Sequence, residues 1–293
     1  MAGSYRHMRL IPAIFCVLIL GISAIGDLEA KRRFGPSPLD TLGEDPDQEI
    51  GRAVLNDYRQ MGIGKDYQFR FQLKIMPRRE KTVTLTGMMI GTAGVYGPVS
   101  RIDLYETEES DGDPLRILLK NGPQPQAWWL KDSFGGITSA VSSDQYFDPI
   151  AGSDVSIFDL FTPFQYWSEF YYEGRTEFRG RPTHLFWMYP PVGDINLGEK
   201  VSGVRVYVDD QFHAMVQAEL FDVEKVHVKT LSIIDIKKVD GTWIPGAVDS
   251  RNEISRNKTR FKVVSASVDV ELSPHYFEPE ALSETILGKA FNR

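Results

Sequence analysis

Cysteine is almost absent from this sequence. The single cysteine among 293 residues, Cys16, lies near the N-terminus, so the rest of the chain can form no disulfide and offers no thiol nucleophile. A surplus of positive charge is missing as well, because the formal net charge is −7 and the isoelectric point is about 5.4. A phosphate backbone would repel such a chain, and the sequence therefore predicts no nucleic-acid partner.

Motifs that carry catalysis or hold metals are also missing. The four histidines beyond residue 26 show no metal-ligand spacing, and Gly-x-Ser-x-Gly, Walker and dinucleotide-binding fingerprints are absent. Asp103 and the other strand carboxylates are most simply polar-face residues. We predict a protein that is not an enzyme and that holds no cofactor and no metal. A hydrolase built from dispersed carboxylates and His184 or His213 is the alternative.

The longest apolar run lies at the N-terminus. Two arginines precede an apolar stretch over residues 10–25, and small residues follow before the charged segment that begins at Asp27. This order predicts a cleaved secretory signal peptide over residues 1–26, since the run is shorter than the roughly 20 residues that span a bilayer. An uncleaved membrane anchor is the alternative. Export without disulfides fits the bacterial periplasm, which is the predicted location.

Residues 27–45 are rich in charge, proline and glycine, and we interpret them as a flexible lead-in. Residues 46–293 then form a single domain. Apolar spacing predicts that the domain begins with a helix capped by Asp45, with Pro46 at the first helical position.

From Asp66 the apolar period changes to two. Alternating segments recur as far as residue 272, and turn signals such as Asp240-Gly241 separate many of them. No β-α-β alternation is present, which argues against a parallel sheet. The pattern predicts a mainly β (α+β) fold, in which one antiparallel sheet of about eleven strands curls into an incomplete β-barrel.

Aromatic residues crowd into residues 158–172. The segment Ser156–Trp167 has helical spacing, and Pro163 breaks it into two short pieces. Clustered aromatics serve both cores and apolar ligand pockets. The segment is therefore either ordinary core that closes the open side of the sheet, or a lid that faces a ligand.

Residues 153–160 read Ser-Asp-Val-Ser-Ile-Phe-Asp-Leu, which resembles the S-D-[apolar]-S-x-x-D-L segment of the LolA-like outer-membrane lipoprotein-sorting proteins. Further matches follow in the family's order, strongest over residues 150–282. Each motif is weak alone, but their order and spacing together are specific. They are Gly180–Leu185 (G-R-x-x-[HY]-L), Val204–Asp209 (V-x-V-[WY]-V-D), Lys229–Leu231 (K-T-L), Gly241–Pro245 (G-x-W-[IVY]-P) and Lys258-Thr259 ([HK]-T).

The resemblance implies a half-open antiparallel barrel whose short helices close an apolar cavity. It also implies a periplasmic carrier of lipoprotein acyl chains, with inner-membrane release machinery and an outer-membrane acceptor as partners. Each acyl methylene is worth about 0.8 kcal/mol out of water, so chains of some 45 methylenes cost on the order of 35 kcal/mol to expose. An accessory protein that binds lipid or another hydrophobic ligand for an exporter is the second hypothesis.

Strand parity and the aromatic segment together suggest which side chains line the cavity. Ordinary core packing is the alternative for each of them. The predicted lining residues are Phe69, Phe71, Phe158, Phe161, Phe164, Leu185, Trp187 and Val206.

Overall fold

The computed structural model describes residues 46–106, 114–131 and 136–286. The predicted signal peptide over 1–26, the lead-in over 27–45 and the predicted cap Asp45 lie outside these residues. Within the described ranges, no helix combines the length and the apolar character needed to cross a membrane.

The first helix, α1 (Gln48–Gln60), begins two residues after the predicted start. Its N-cap is Asp47, whose Oδ1 accepts hydrogen bonds from the backbone N–H groups of Glu49 at 2.8 Å and Ile50 at 3.4 Å. An aspartate at this position satisfies N–H groups that have no partner inside the helix. Pro46 consequently lies before the cap and not inside the first turn.

Thirteen strands follow and form one antiparallel sheet. The count is two more than the roughly eleven strands predicted, and the two residues of β6 are too few to show alternation. The strands are β1 (Tyr67–Met76), β2 (Val83–Ala93), β3 (Pro98–Tyr105), β4 (Leu115–Lys120), β5 (Gln126–Leu130), β6 (Ser139–Ala140), β7 (Phe170–Phe178), β8 (Arg181–Met188), β9 (Gly203–Asp209), β10 (Met215–Phe221), β11 (His227–Val239), β12 (Thr242–Asn252) and β13 (Lys258–Val268).

The order across the sheet is β6-β5-β4-β3-β2-β1-β13-β12-β11-β10-β9-β8-β7. Almost every neighbour in space is therefore a neighbour in sequence, and only the pairing of β1 with β13 joins distant parts of the chain. The sheet is curled but unclosed, with β6 and β7 as its two edges, which confirms the predicted fold class. The stretch of chain that links β6 to β7 carries three short helices: a 3-10 turn (Ser143–Gln145), α2 (Ile157–Phe161) and a second 3-10 helix (Pro163–Tyr166).

One face of the sheet, here called the inner face, carries the main hydrophobic core. Alternate residues of β1 from Tyr67 to Ile75 are buried in it, as the period of two predicted. Helix α1 adds Val54, Leu55 and Tyr58 to the same core, and α2 with the following 3-10 helix adds a group of aromatic side chains.

The opposite, outer face is covered by the C-terminal segment over β2 to β5. Phe277, Leu282 and Ile286 pack there against Ile90 and Leu118 in a second, smaller apolar cluster. Two short 3-10 helices, Pro274–Phe277 and Pro279–Ser283, carry these side chains.

A buried ion network fastens this C-terminal segment to the sheet. The Asp103 carboxylate lies 3.0 Å from Arg101 Nε and 3.6 Å from Arg116 Nε, and all three side chains are at most 5% exposed. Arg101 donates hydrogen bonds to the carbonyl oxygens of Ala281 and Glu284. Asp103 is thus a buried counter-ion and not the polar-face residue expected from the sequence. The second guanidinium, that of Arg116, donates to two further carbonyls of the same segment.

Asp103→Asn should be strongly destabilising. It removes the counter-ion of two buried guanidinium groups, and breaking a buried pair from one side costs about 3–5 kcal/mol. Urea denaturation at pH 7 measures this change in the free energy of unfolding.

Asp269→Asn is the matched control, because Asp269 pairs with Lys65 while both side chains are about half exposed or more. An exposed pair contributes about 0–1 kcal/mol. Equal losses for the two variants would show that the Asp103 network is not desolvated.

Candidate ligand-binding site

Residues 156–167, here called the plug segment, lie against the inner face. Ser156 and Asp159 form a capping box at the start of α2. Ser156 N donates to Asp159 Oδ2 at 2.8 Å, and Asp159 N donates to Ser156 Oγ at 3.4 Å. Pro163 starts the 3-10 helix, so the chain is broken into two pieces there as predicted. Both pieces are too short to be stable in water without packing.

The aromatic side chains of the plug segment are almost fully buried. Phe158, Phe161 and Phe164 are between 0% and 3% exposed. Trp167 lies beside two of them, with ring centroids 6.3 Å from Phe158 and 6.5 Å from Phe164. The plug segment is therefore part of the main core and not a loop that merely crosses over it.

The inner wall beneath the plug segment is an apolar patch on three neighbouring strands. Val204, Leu220 and Lys229 lie side by side across β9, β10 and β11, and Ala218 lies beside Leu231 in the next row. All of these residues except Lys229 carry aliphatic side chains. Such a wall suits a hydrocarbon chain, which needs contact but no hydrogen bonds.

Between this wall and the plug segment lies a narrow crevice. Phe158, Phe164 and Asp159 face the wall residues across it, and the enclosed space is about 10 Å³. That volume holds about one water molecule, whereas ligand pockets measure roughly 300–1,000 Å³. The side chains of the plug segment therefore occupy the space that a ligand would need.

An ion pair holds the N-terminal end of the plug segment. Lys229 Nζ lies 2.7 Å from Asp159 Oδ2, and the two side chains are 16% and 5% exposed. Asp159 thus serves both as the partner of Ser156 within the plug segment and as the counter-ion of a lysine on the wall. Because the pair is shielded from water, its attraction is stronger than that of a surface pair.

Side-chain donors hold the rest of the plug segment through its carbonyl oxygens. Asn121 Nδ2 donates to Phe161 O at 2.7 Å. Arg59 of α1 donates to Gln165 O at 2.7 Å and to Trp167 O. The last turns of short helices leave such carbonyls without helical partners, and these side chains supply the missing donors.

Thr162 joins the two pieces of the plug segment in a strained conformation. Its backbone is left-handed, with φ 45° and ψ 52°, which is unfavourable for a β-branched residue. The side chain is fully buried, and its hydroxyl has no hydrogen-bond partner among the described residues. The plug segment therefore contains local backbone strain at the junction of its two pieces.

The structure separates the eight predicted lining residues into two groups. Phe69, Phe71, Val206 and the three plug phenylalanines are all buried in the main core on the inner face. Among them, Phe158 and Phe164 line the crevice itself.

Leu185 and Trp187 lie on the outer face of β8. The residues that alternate with them, Phe186 and Met188, point into the main core instead. Trp187 packs against Phe221, with ring centroids 4.9 Å apart. Because β8 is apolar on both sides, its period of two did not reveal which side is the inner one. Trp187 lines a separate outer depression of about 250 Å³ with Tyr171, Glu173, Tyr189, Ser202 and Lys225.

A protein-family model whose description reads only "Uncharacterized protein" matches residues 133–284, just over half of the chain. The chain belongs to this family. No curated protein matches the sequence.

Three solved structures share the fold. The first is a proposed outer membrane lipoprotein-sorting protein domain from Vibrio parahaemolyticus, with 16% identity, a TM-score of 0.69, and coverage of 80% of this chain and 97% of that one. The second is a DUF1329 family protein from Desulfovibrio piger, with 18% identity, a TM-score of 0.68, and coverage of 80% and 98%. The third is a LolA superfamily protein from Nitrosomonas europaea, with 11% identity, a TM-score of 0.57, and coverage of 78% and 96%. At these identities the likeness shows that the fold is LolA-like.

Two histidines of this LolA-like fold lie close together near α1, one on β8 and the other in the turn that follows β9. Tyr172 Oη lies 2.7 Å from His184 Nδ1, and His184 Nε2 lies 2.8 Å from Asp210 Oδ1. His213 is next to His184, with ring centroids 6.3 Å apart, and it contacts Asp57 of α1 at 2.9 Å. Both ring nitrogens of His184 are thus engaged in contacts between elements. No group of three or more metal-ligating side chains was found among the described residues.

The stability of the protein should depend on pH through His184. Burial lowers the pKa of this imidazole from its usual 6.5, and the attraction of Asp210 does not fully compensate. The folded state therefore binds this proton less readily than the unfolded state. The contribution of neutral His184 to the free energy of unfolding is complete above the pKa that this imidazole has in the unfolded chain. It is lost as the pH falls below that pKa, by at most about 1.4 kcal/mol per pH unit for one proton.

Wild-type protein should consequently unfold at lower urea concentration at pH 5.5 than at pH 7.5, and His184→Gln should show a smaller difference. His275→Gln is the control, because His275 is an exposed histidine with a similar carboxylate contact. An unchanged pH dependence in His184→Gln would contradict the assignment.

Proposed function

We propose that this protein carries acyl chains, which bind on the inner face of the sheet in place of the plug segment. The observation that supports this most is the way in which the crevice is filled. Phe158 and Phe164 cover an aliphatic wall, while polar side chains hold the segment that bears them. Hydrocarbon tails can replace these rings without leaving a polar group of the wall, other than Lys229, in apolar surroundings.

A comparison of two free energies, that of exposing the plug segment and that of burying acyl chains, favours a cargo with several chains. Six apolar side chains of the plug segment are buried, and exposing each costs about 1.5–3 kcal/mol, or roughly 9–18 kcal/mol in all. One chain of about 14 methylenes offers about 11 kcal/mol, and three such chains offer about 34 kcal/mol. A single chain therefore barely balances the plug segment, whereas two or three chains exceed it.

Lipoprotein acyl chains are the first candidate cargo. The likeness to the Vibrio domain supports this choice, since that protein is described as a proposed sorting protein for outer membrane lipoproteins. On this view the chain is exported by its signal peptide, works in the periplasm, receives cargo from inner-membrane release machinery and delivers it to an outer-membrane acceptor. A lipid-binding accessory protein of an exporter would use the same site and differ in its partners.

Trp167 offers a direct test, because it lies in the plug segment beside the two crevice phenylalanines. Lipid with brominated acyl chains should quench the tryptophan fluorescence of the purified protein in a saturable manner, since bromine quenches on contact. Trp167→Phe should lose most of this quenching. Trp243→Phe, which removes a tryptophan of β12 distant from the plug segment in sequence, is the control and should retain it. Absence of saturable quenching in the wild type would refute the proposal.

Loosening the plug segment should strengthen lipid binding. Arg59→Met removes the guanidinium that donates to Gln165 O and Trp167 O but keeps an apolar stem. Hydrogen bonds from a charged donor contribute about 1.5–3 kcal/mol, so the apparent dissociation constant should fall by roughly tenfold or more.

Arg78→Met, at an exposed position just after β1, is the control for loss of one positive charge. Titration of both variants with the brominated lipid provides the comparison. Weaker or unchanged binding in Arg59→Met would show that the plug segment does not compete with the acyl chains.

A further inference from the structure

Among the residues that the structure describes, Lys229 is the one cationic side chain that lines the crevice. It follows the strand period of Leu231 and Ile233, whose side chains belong to the main core. Across the strands its neighbours are Leu220 on β10 and Asn252 on β12, and the crevice lining around it is otherwise aliphatic apart from Asp159 and the two phenylalanines. An ammonium group in such a place requires an anion, because burying an unpaired charge is unfavourable.

Asp159 supplies that anion only while the plug segment is closed. The carboxylate is bound within its own segment, since Asp159 Oδ2 also accepts hydrogen bonds from Ser156 N at 2.8 Å and Ser156 Oγ at 3.0 Å. When the segment moves away as a unit, this carboxylate leaves with it. Lys229 is then left without its close partner.

Asp154 is a second acid that interacts electrostatically with Lys229. Both its backbone and its side chain bind Thr259 of β13. Asp154 N donates to Thr259 Oγ1 at 2.9 Å, and Asp154 Oδ2 accepts from the same hydroxyl at 3.2 Å. These bonds tie Asp154 to Thr259 of β13 and not to the plug segment. Its carboxylate attracts the Lys229 ammonium group, but it does not replace Asp159 as the close partner of that group.

We propose that, of the two kinds of cargo considered above, the site is better matched to a free lipid than to lipoprotein acyl chains: a diacyl phospholipid with an anionic head, whose phosphate replaces the Asp159 carboxylate on Lys229 while its chains replace Phe158 and Phe164. This inference rests on the proposed function. Charge complementarity supports it. The plug segment covers the wall with aromatic rings and one carboxylate, and an anionic phospholipid would cover it with acyl chains and one phosphate. A neutral acyl cargo would leave the ammonium group unpaired.

A competition experiment tests the proposal with the full-length purified protein. The protein is incubated with an equimolar detergent dispersion of dioleoyl phosphatidylglycerol, dioleoyl phosphatidylcholine and dioleoylglycerol, re-isolated, and its bound lipid is quantified by mass spectrometry. All three probes carry the same chains. The wild type should be enriched in phosphatidylglycerol by about tenfold over dioleoylglycerol.

Lys229→Met should lose this enrichment but still bind lipid, and Lys229→Arg should keep it. Lys262→Met, which removes an exposed lysine of β13, is the control for net charge and should behave as the wild type does. Equal binding of the three lipids by the wild type, or enrichment that survives in Lys229→Met, would overturn the inference while leaving the carrier function intact. Absence of all three lipids from the re-isolated wild type would instead refute the proposed function itself.

Discussion

An unclosed curled sheet has an apolar inner face that must be covered. The strands of this protein leave a gap between the edges β6 and β7, and the chain fills it with the segment that connects those two strands in sequence. Nothing in the sheet itself can bury Val204, Ala218, Leu220 and Leu231, so the phenylalanines of the plug segment do so. Because the wall requires only an apolar cover, another apolar group of suitable shape can replace these phenylalanines, and the wall can then act as a binding site.

The two faces of the sheet are covered in different ways. On the outer face, two buried guanidinium groups that share the Asp103 carboxylate as counter-ion donate hydrogen bonds to four carbonyl oxygens of the C-terminal segment, so this cover is part of the stable fold. On the inner face, the cover consists of two short helices joined at a strained Thr162 and held by Arg59, Asn121 and Lys229. We infer that the outer cover stays in place and that the inner one moves.

Local patterns in the sequence predicted most of the sheet and the broken helix at Pro163. The motifs behind the family resemblance are informative for a further reason, because residues from different motifs are contact partners in the structure. Asp159 pairs with Lys229 at 2.7 Å, and Arg181 pairs with Asp209 at 2.6 Å. The first pair joins the plug segment to β11, and the second joins β8 to β9, so residues of motifs that are separate in sequence are neighbours in the fold.

What the sequence did not reveal depends on contacts between distant segments. The burial of Asp103 follows from Arg101, Arg116 and a C-terminal segment about 180 residues away, and nothing in the strand pattern indicates that cover. Leu185 and Trp187 were assigned to the wrong side of β8, since a strand that is apolar on both faces carries no sign of which face is inner. Arg59 and Asn121 gave no local signal, because their partners are backbone carbonyls of another segment.

Hydrogen–deuterium exchange with and without bound lipid tests the central claim most directly, namely that acyl chains displace the plug segment. The backbone N–H groups of Phe158 and Thr162 donate to Tyr146 O and Phe158 O in the closed position. Lipid binding should speed exchange in residues 156–167 while β9, β10 and β11 stay protected. Slower or unchanged exchange in those residues when lipid is bound would contradict the account, since the plug segment would then be a permanent part of the core.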